Sequence, residues 1–396
     1  MIITPISSPF VRGAAELEAT GRGVRPHRLV SWVRAQFPDP QLLSVETQPS
    51  GVRIVFETEA TQAELEVHSS RAVYRGITRP RGHIDAFVDD ELVLSDELTG
   101  GDSVELDLQT GAATPHEGAS QTTSLVGLKT GTKRVEFWLP HNETIELVQL
   151  RSDAPLVPVV SSKPVWMHHG SSISHGSNAT APSEIWPAIA ARQDGVDLLN
   201  LGFGGSAQVD PFMARVMRDT KADLISVKLG INVVNADAMR VRAFVPAVHG
   251  FLDTIREGHP DTPLVLISPI FCGTHEHTAG PGAFDPSSFS TGQVKFIATG
   301  TPGDESQGRL TLSVIRRELA SLAERRAADP NLYYLDGTEL FGESDAVTYP
   351  LPDALHPGPE AHRLIGQRFA QFAFGAEGPF RRQDTILGAT GGTARK

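Results

Sequence analysis

Five short apolar runs, at residues 165–168, 196–201, 224–229, 264–270 and 332–335, punctuate the second half of the chain. Helical patterns lie between or after them, at 184–192, 211–220, 243–257, 310–327 and 359–374, the last with Pro359 at its first turn. Runs this short, apolar on both faces and alternating with helices, predict a doubly wound parallel sheet. Residues from about 50 to 150 follow another period. There Ala63, Leu65 and Val67 alternate with Glu64 and Glu66, and Val135, Phe137 and Leu139 repeat the pattern. Period-two alternation buries one face and wets the other, which predicts antiparallel strands packed as a sandwich. A short helix is expected within 26–37, and a Pro/Val/Ser connector at 154–164 marks the change of character. The expected organisation is an N-terminal β-sandwich over 1–155, an α/β domain over 160–376 and a flexible tail over 377–396. At 396 residues the chain exceeds what one ordinary core accommodates, which agrees with two domains.

The net charge of −12 excludes the usual nucleic-acid binder, which clusters Lys and Arg against phosphates. No apolar run reaches membrane-spanning length, and Met1 to Phe10 lack the cationic and apolar regions of a secretory signal. A cytoplasmic protein without membrane partners is therefore expected. Cys272 is the single cysteine, so no intrachain disulfide forms, and with no base beside it a structural thiol is expected.

The chemistry-bearing residues cluster at the ends of the apolar runs. The first run leads into Gly170-Ser171-Ser172-Ile173, and Asp353-Ala354-Leu355-His356 lies after the fifth run and before the final helix. A serine hydroxyl needs a base to become a nucleophile, and the base needs an orienting group. Ser172, His356 and Asp353 fit these roles in turn. Three donors are candidates for the developing oxyanion: the Ser172 amide, the Gly205 amide and the Asn232 side chain, each just after an apolar run. Taken singly, Ser172 is also an ordinary helix cap, Gly202, Gly204 and Gly205 a tight turn, and Asn232 a cap. Their order along the chain favours catalysis. His168, His169 and His175, and the pair His275 and His277, lack a recognised metal-ligand spacing, so no metal is expected. The Gly/Pro/Ser-rich stretch 271–307 follows a strand end and reads as a lid or substrate wall, with His275 and His277 as candidate substrate contacts.

These four blocks, Ser172, Gly205, Asn232 and Asp353/His356, resemble those of the SGNH (GDSL-type) hydrolase superfamily, over roughly residues 160–375. The resemblance implies a flavodoxin-like three-layer α/β/α domain, preceded here by a jelly-roll-like sandwich. The chain departs from the family pattern at Ser171, where Asp usually precedes the nucleophile, and at Val233, where Asp is common.

A sandwich ahead of such a domain is similar to several carbohydrate esterases of the superfamily, and also to its intracellular acyltransferases of polyketide tailoring. The latter implies acyl transfer through acyl-Ser172, from an acyl-CoA co-substrate to a hydroxyl of a small natural product, with no tightly bound cofactor. Ester hydrolysis, with water as acceptor and an acetylated sugar as a substrate, stands as the alternative. An inactive carbohydrate-binding protein is a remote third, and the oligomeric state is left open.

Overall fold

The computed structural model describes residues 1–381 with the exception of Gln293. The expected tail therefore falls largely, from 382 onward, outside the described residues.

The period-two segments form two facing sheets. In the first, the long strand Gln62–Tyr74 pairs with Thr144–Ser152, Gln121–Val126 and Asp102–Leu106, the last in parallel. In the second, Lys133–Trp138 lies between Arg53–Thr58 and His83–Val88. Ile54, Phe56, Leu65, Val67, Phe137 and Ile145 fill the space between the sheets. The connector is not free of structure. Leu156–Pro158 pairs with Arg53–Thr58, so the sandwich runs through the first part of the connector and past residue 155.

The apolar runs form a five-stranded parallel sheet in the order Asp197–Gly202, Val165–Gly170, Leu224–Lys228, Leu264–Ile267, Leu332–Leu335. The first four strands in this order bury both faces, while in the edge strand Leu332–Leu335 only Leu335 is buried. On Val165–Gly170, Trp166 packs with Trp186 and Phe369 of the helices Trp186–Gln193 and Pro359–Phe374. Its neighbour Met167 faces the opposite layer, with the helices Pro211–Asp219, Val241–Gly258 and Leu312–Arg325. The order reverses at Val165–Gly170, whose neighbours are the second and third strands. In such sheets ligands bind beyond the carboxyl ends at this switch point.

One segment departs from the linear division of domains. A short strand, Val24–His27, joins the first sandwich sheet, and the expected helix begins only at Ser31. The helices Ser31–Gln36 and Pro40–Glu46 then leave the sandwich. With Leu29 just ahead of them, they carry Val33, Leu42 and Val45 into the same apolar cluster as Phe203 and Met213. By packing, this N-terminal piece belongs to the α/β core.

Candidate active site

Val165–Gly170 ends in the short helix Ser172–His175. Ser171, not Ser172, is its N-cap, with Oγ accepting from the Ile173 amide at 3.3 Å. The residue that departs from the family pattern thus takes the capping work and leaves the Ser172 hydroxyl free. Directly behind, Trp166 Nε1 donates to Ser226 Oγ at 2.9 Å, and the His168 ring spans Ser226 Oγ and Ser174 Oγ, each at 2.7 Å. Burial drives the His168 pKa well below its ordinary value, so the ring is a neutral strut between strand and helix.

The loop before Pro359–Phe374 brings His356 Nε2 to 2.9 Å from Ser172 Oγ. His356 Nδ1 lies 2.7 Å from Asp353 Oδ2, and Asp353 Oδ1 accepts the His356 and Leu355 amides at 2.7 and 3.0 Å. Asn178 Nδ2 adds a fourth donor to the carboxylate at 3.2 Å. Burial alone raises the Asp353 pKa, but the hydrogen bonds and charge of His356 with the two amides outweigh it and hold the carboxyl below its usual value. The turn between the two residues is backbone-constrained. Ala354 has φ +65°, and its carbonyl accepts from Thr274 Oγ1 at 2.7 Å and Cys272 Sγ at 3.4 Å. Cys272 is thus buried and structural in its contacts.

Three donors face no partner among the described residues: the Ser172 amide, the Gly205 amide and Asn232 Nδ2. Asn232 is oriented by its other end, since Oδ1 accepts the Ala207 amide at 3.1 Å. Gly205 is glycine because its φ is +73°. The closer approach to the nucleophile is made by Gly204, where a Cβ would sit 3.7 Å from that of Ser172.

Ser, His, Asp and unpaired donors at a switch point are the outfit of covalent acyl chemistry. Residues 169–364 match the GDSL-like Lipase/Acylhydrolase family. This chain carries a GDSL-like acylhydrolase domain. It is accordingly an enzyme acting on ester bonds. Among solved structures, the chain is similar to a salicylyl-acyltransferase from a tetracycline biosynthetic pathway, at 27% identity and TM-score 0.76, covering 93% of this chain and 95% of that one. It is also similar to a GDSL-like lipase from Bacteroides ovatus, at 19% identity, TM-score 0.63 and 93% and 96% coverage. A family two carbohydrate esterase from Clostridium thermocellum shares the fold at 15% identity, TM-score 0.53 and 81% and 91% coverage. No curated protein matches the chain.

Part of the stretch 271–307 stands beside this GDSL-like site. It holds a hairpin of Gly282–Phe284 and Phe296–Ala298. The Phe296 amide donates to the Asp353 carbonyl at 2.9 Å, and its ring stands edge-on to that of His356, centroids 5.5 Å apart. The two histidines expected to touch substrate do not join the site. His275 is fully buried, with Nδ1 3.1 Å from the Thr278 carbonyl and Nε2 2.9 Å from Asn235 Oδ1, so it ties the loop to the helix Ile231–Asn235. His277 is exposed, with Nδ1 3.4 Å from Ser313 Oγ at the start of Leu312–Arg325. Burial and saturated ring nitrogens correct the first expectation; the structure brings His277 to Ser313 and not to the triad.

Two residues not singled out from sequence support the site. Arg28 is wholly buried and donates to the carbonyls of Val45, Gln48, Asn200 and Gly202 at 2.6–3.0 Å. Gln41 Nε2 donates to the Gly204 carbonyl at 2.9 Å. Both bind backbone oxygens, a role without a spacing signature.

Proposed function

We propose that the enzyme transfers an acyl group from an acyl thioester, such as an acyl-CoA, through acyl-Ser172 to a hydroxyl of a small natural product. The observation that carries this reading is the likeness to the salicylyl-acyltransferase, which extends over both domains at 27% identity. His356 Nε2 takes the proton of Ser172 Oγ as the oxygen attacks the thioester carbon. The Ser172 and Gly205 amides and Asn232 Nδ2 receive the negative charge on the carbonyl oxygen. The C–S bond breaks, and the departing thiolate takes the proton back from His356. An acceptor alcohol then gives its proton to His356 and attacks the acyl-serine, and Ser172 leaves reprotonated. Asp353 holds the imidazole and stabilises its cation throughout. A thioester is the proposed donor because transfer from sulfur to an alcohol oxygen runs downhill.

The same machinery with water as acceptor is an ester hydrolase, so acceptor choice rests on the walls of the cleft. Incubation with acyl-CoAs and polyhydroxylated aromatic acceptors, with products separated by mass, decides between them. An acylated acceptor is expected; free acid as the only product across donors and acceptors would assign the enzyme to hydrolysis.

A further inference from the structure

A cavity of about 670 Å³ opens between the sandwich and the α/β domain, and no Asp or Glu lines it. This is unusual ground in a chain of net charge −12. A second cavity, of about 350 Å³ and bounded by Asp353 and Phe296, shares Arg79, Pro80, Asn178 and Pro352 with the first. The interdomain space is therefore continuous with the wall of the triad.

Two guanidinium groups enter this space without an anion. The Arg71 guanidinium has neither an ion pair nor a hydrogen bond among the described residues, although its backbone pairs with the neighbouring strand at Ser103. Burial, then the nearby Arg81, lowers its pKa, and Glu143, the neighbouring carboxylate, is already engaged by Arg81 at 2.8 and 3.1 Å. Arg79, exposed at the rim of the cavity, rests over the Tyr74 ring at 5.8 Å and has no carboxylate partner among the described residues. The same lining holds a buried ring nitrogen without a hydrogen-bond partner, His141 Nδ1, which as an N–H can donate to an anion. Buried polar groups are ordinarily satisfied, and an arginine fork matches carboxylate or phosphate oxygens. Together these features describe a place that lacks a polar, negatively charged ligand.

We propose that the interdomain cavity is an anion-recognising subsite, in which Arg71 and Arg79 hold an anionic group of a substrate whose reacting end lies at Ser172. The shared chemistry is a phosphate or carboxylate oxygen, carried by the phosphates of a CoA donor or by a carboxylate of the acceptor. The inference rests on the acyl-transfer reading and gives the sandwich a part in substrate choice.

The test compares the intact enzyme with Arg71→Gln/Arg79→Gln on four substrates: an acyl-CoA, the same acyl group on uncharged N-acetylcysteamine, and an alcohol acceptor as its acid and as its amide. If the phosphates are the ligand, the ratio of kcat/KM for acyl-CoA to that for the uncharged thioester falls at least about tenfold. If the carboxylate is the ligand, the acid-to-amide ratio falls instead. Arg75→Gln, on an exposed arginine paired with Glu105 and Asp107, should leave both ratios alone. Ratios are insensitive to a partly folded preparation, and thermal unfolding of the double variant checks the fold directly. Two unmoved ratios would overturn the subsite even where acylated acceptor is formed. A wild-type enzyme that yields only free acid, with the CoA ratio still falling in the variant, would retain the subsite and remove the transferase reading.

Discussion

Arg28 donates to the Gly202 carbonyl at 2.7 Å, although 174 residues separate them. The contact joins the N-terminal segment to the end of the strand that leads into the Gly204-Gly205 turn. Burial, only partly offset by Glu46, lowers the Arg28 pKa to about 9, still cationic at neutral pH. Replacing it with Leu strands several carbonyls in the core. Arg28→Leu is expected to cost about 3 kcal/mol or more in denaturant unfolding. Aryl-ester kcat should fall as well, since the oxyanion turn loses its brace. Unchanged stability and turnover would show that the contact is incidental.

Gly205→Ala tests the turn itself. At φ +73° a side chain is strained by roughly 1–2 kcal/mol, and its Cβ would meet Gln41 at 3.3 Å. The expected result is a fold close to wild type with kcat reduced more than KM is raised, because the displaced amide serves only the transition state.

For Asn232, the two ends of one amide separate structure from catalysis. Asn232→Asp keeps an acceptor for the Ala207 amide but removes the donor and adds charge beside the oxyanion. Loss of one such donor typically lowers kcat about 10²–10³-fold. Asn232→Asp should reach or exceed that loss while unfolding near the wild-type temperature.

Phe296 stands edge-on to His356; on the proposed acyl-transfer reading its ring keeps water from the acyl-serine. Phe296→Ala is expected to raise the ratio of free acid to acylated acceptor severalfold, with acylation by an aryl ester less affected. An unchanged product ratio would remove the loop from acceptor choice.

Acid stability follows from buried neutral rings. Burial lowers the His169 and His362 pKa values to about 4 and that of His141 to about 3, from an ordinary 6.5. These rings are protonated in the unfolded chain before they are in the native one. Between roughly pH 6.5 and 4 the unfolded state thus binds more protons, and stability rises with pH. The stabilisation is complete above that window and is lost as pH falls through it. Thermal unfolding should be nearly flat above pH 7 and drop steeply from pH 6 to 4; a flat profile down to pH 4.5 would contradict the assignment.

Much of this architecture is legible in the sequence because it rests on periodicity. The five apolar runs became the parallel sheet, and the alternation at 63–67 and 135–139 the sandwich. The Ser172, Asp353 and His356 positions were legible because each follows a strand end or precedes a helix start. Within segment 28–48 the first helix was expected, but the second, Pro40–Glu46, is too brief for a clear period, and Arg28 and Gln41 act on backbone carbonyls, which leaves no spacing signature. Nor was the hairpin within 271–307, where Gly282-Ala283-Phe284 is too short to alternate visibly. His275 looked available in sequence because burial of a loop histidine depends on partners such as Asn235, which only the fold supplies.

The central claim is that Ser172 carries the acyl group. Intact-mass and peptide mapping after brief exposure to an acyl-CoA or an activated aryl ester tests it directly. One acyl group on Ser172 in the wild type, and neither adduct nor turnover in Ser172→Ala, is the predicted result. Turnover retained by Ser172→Ala, or an adduct mapped to another residue, would contradict it.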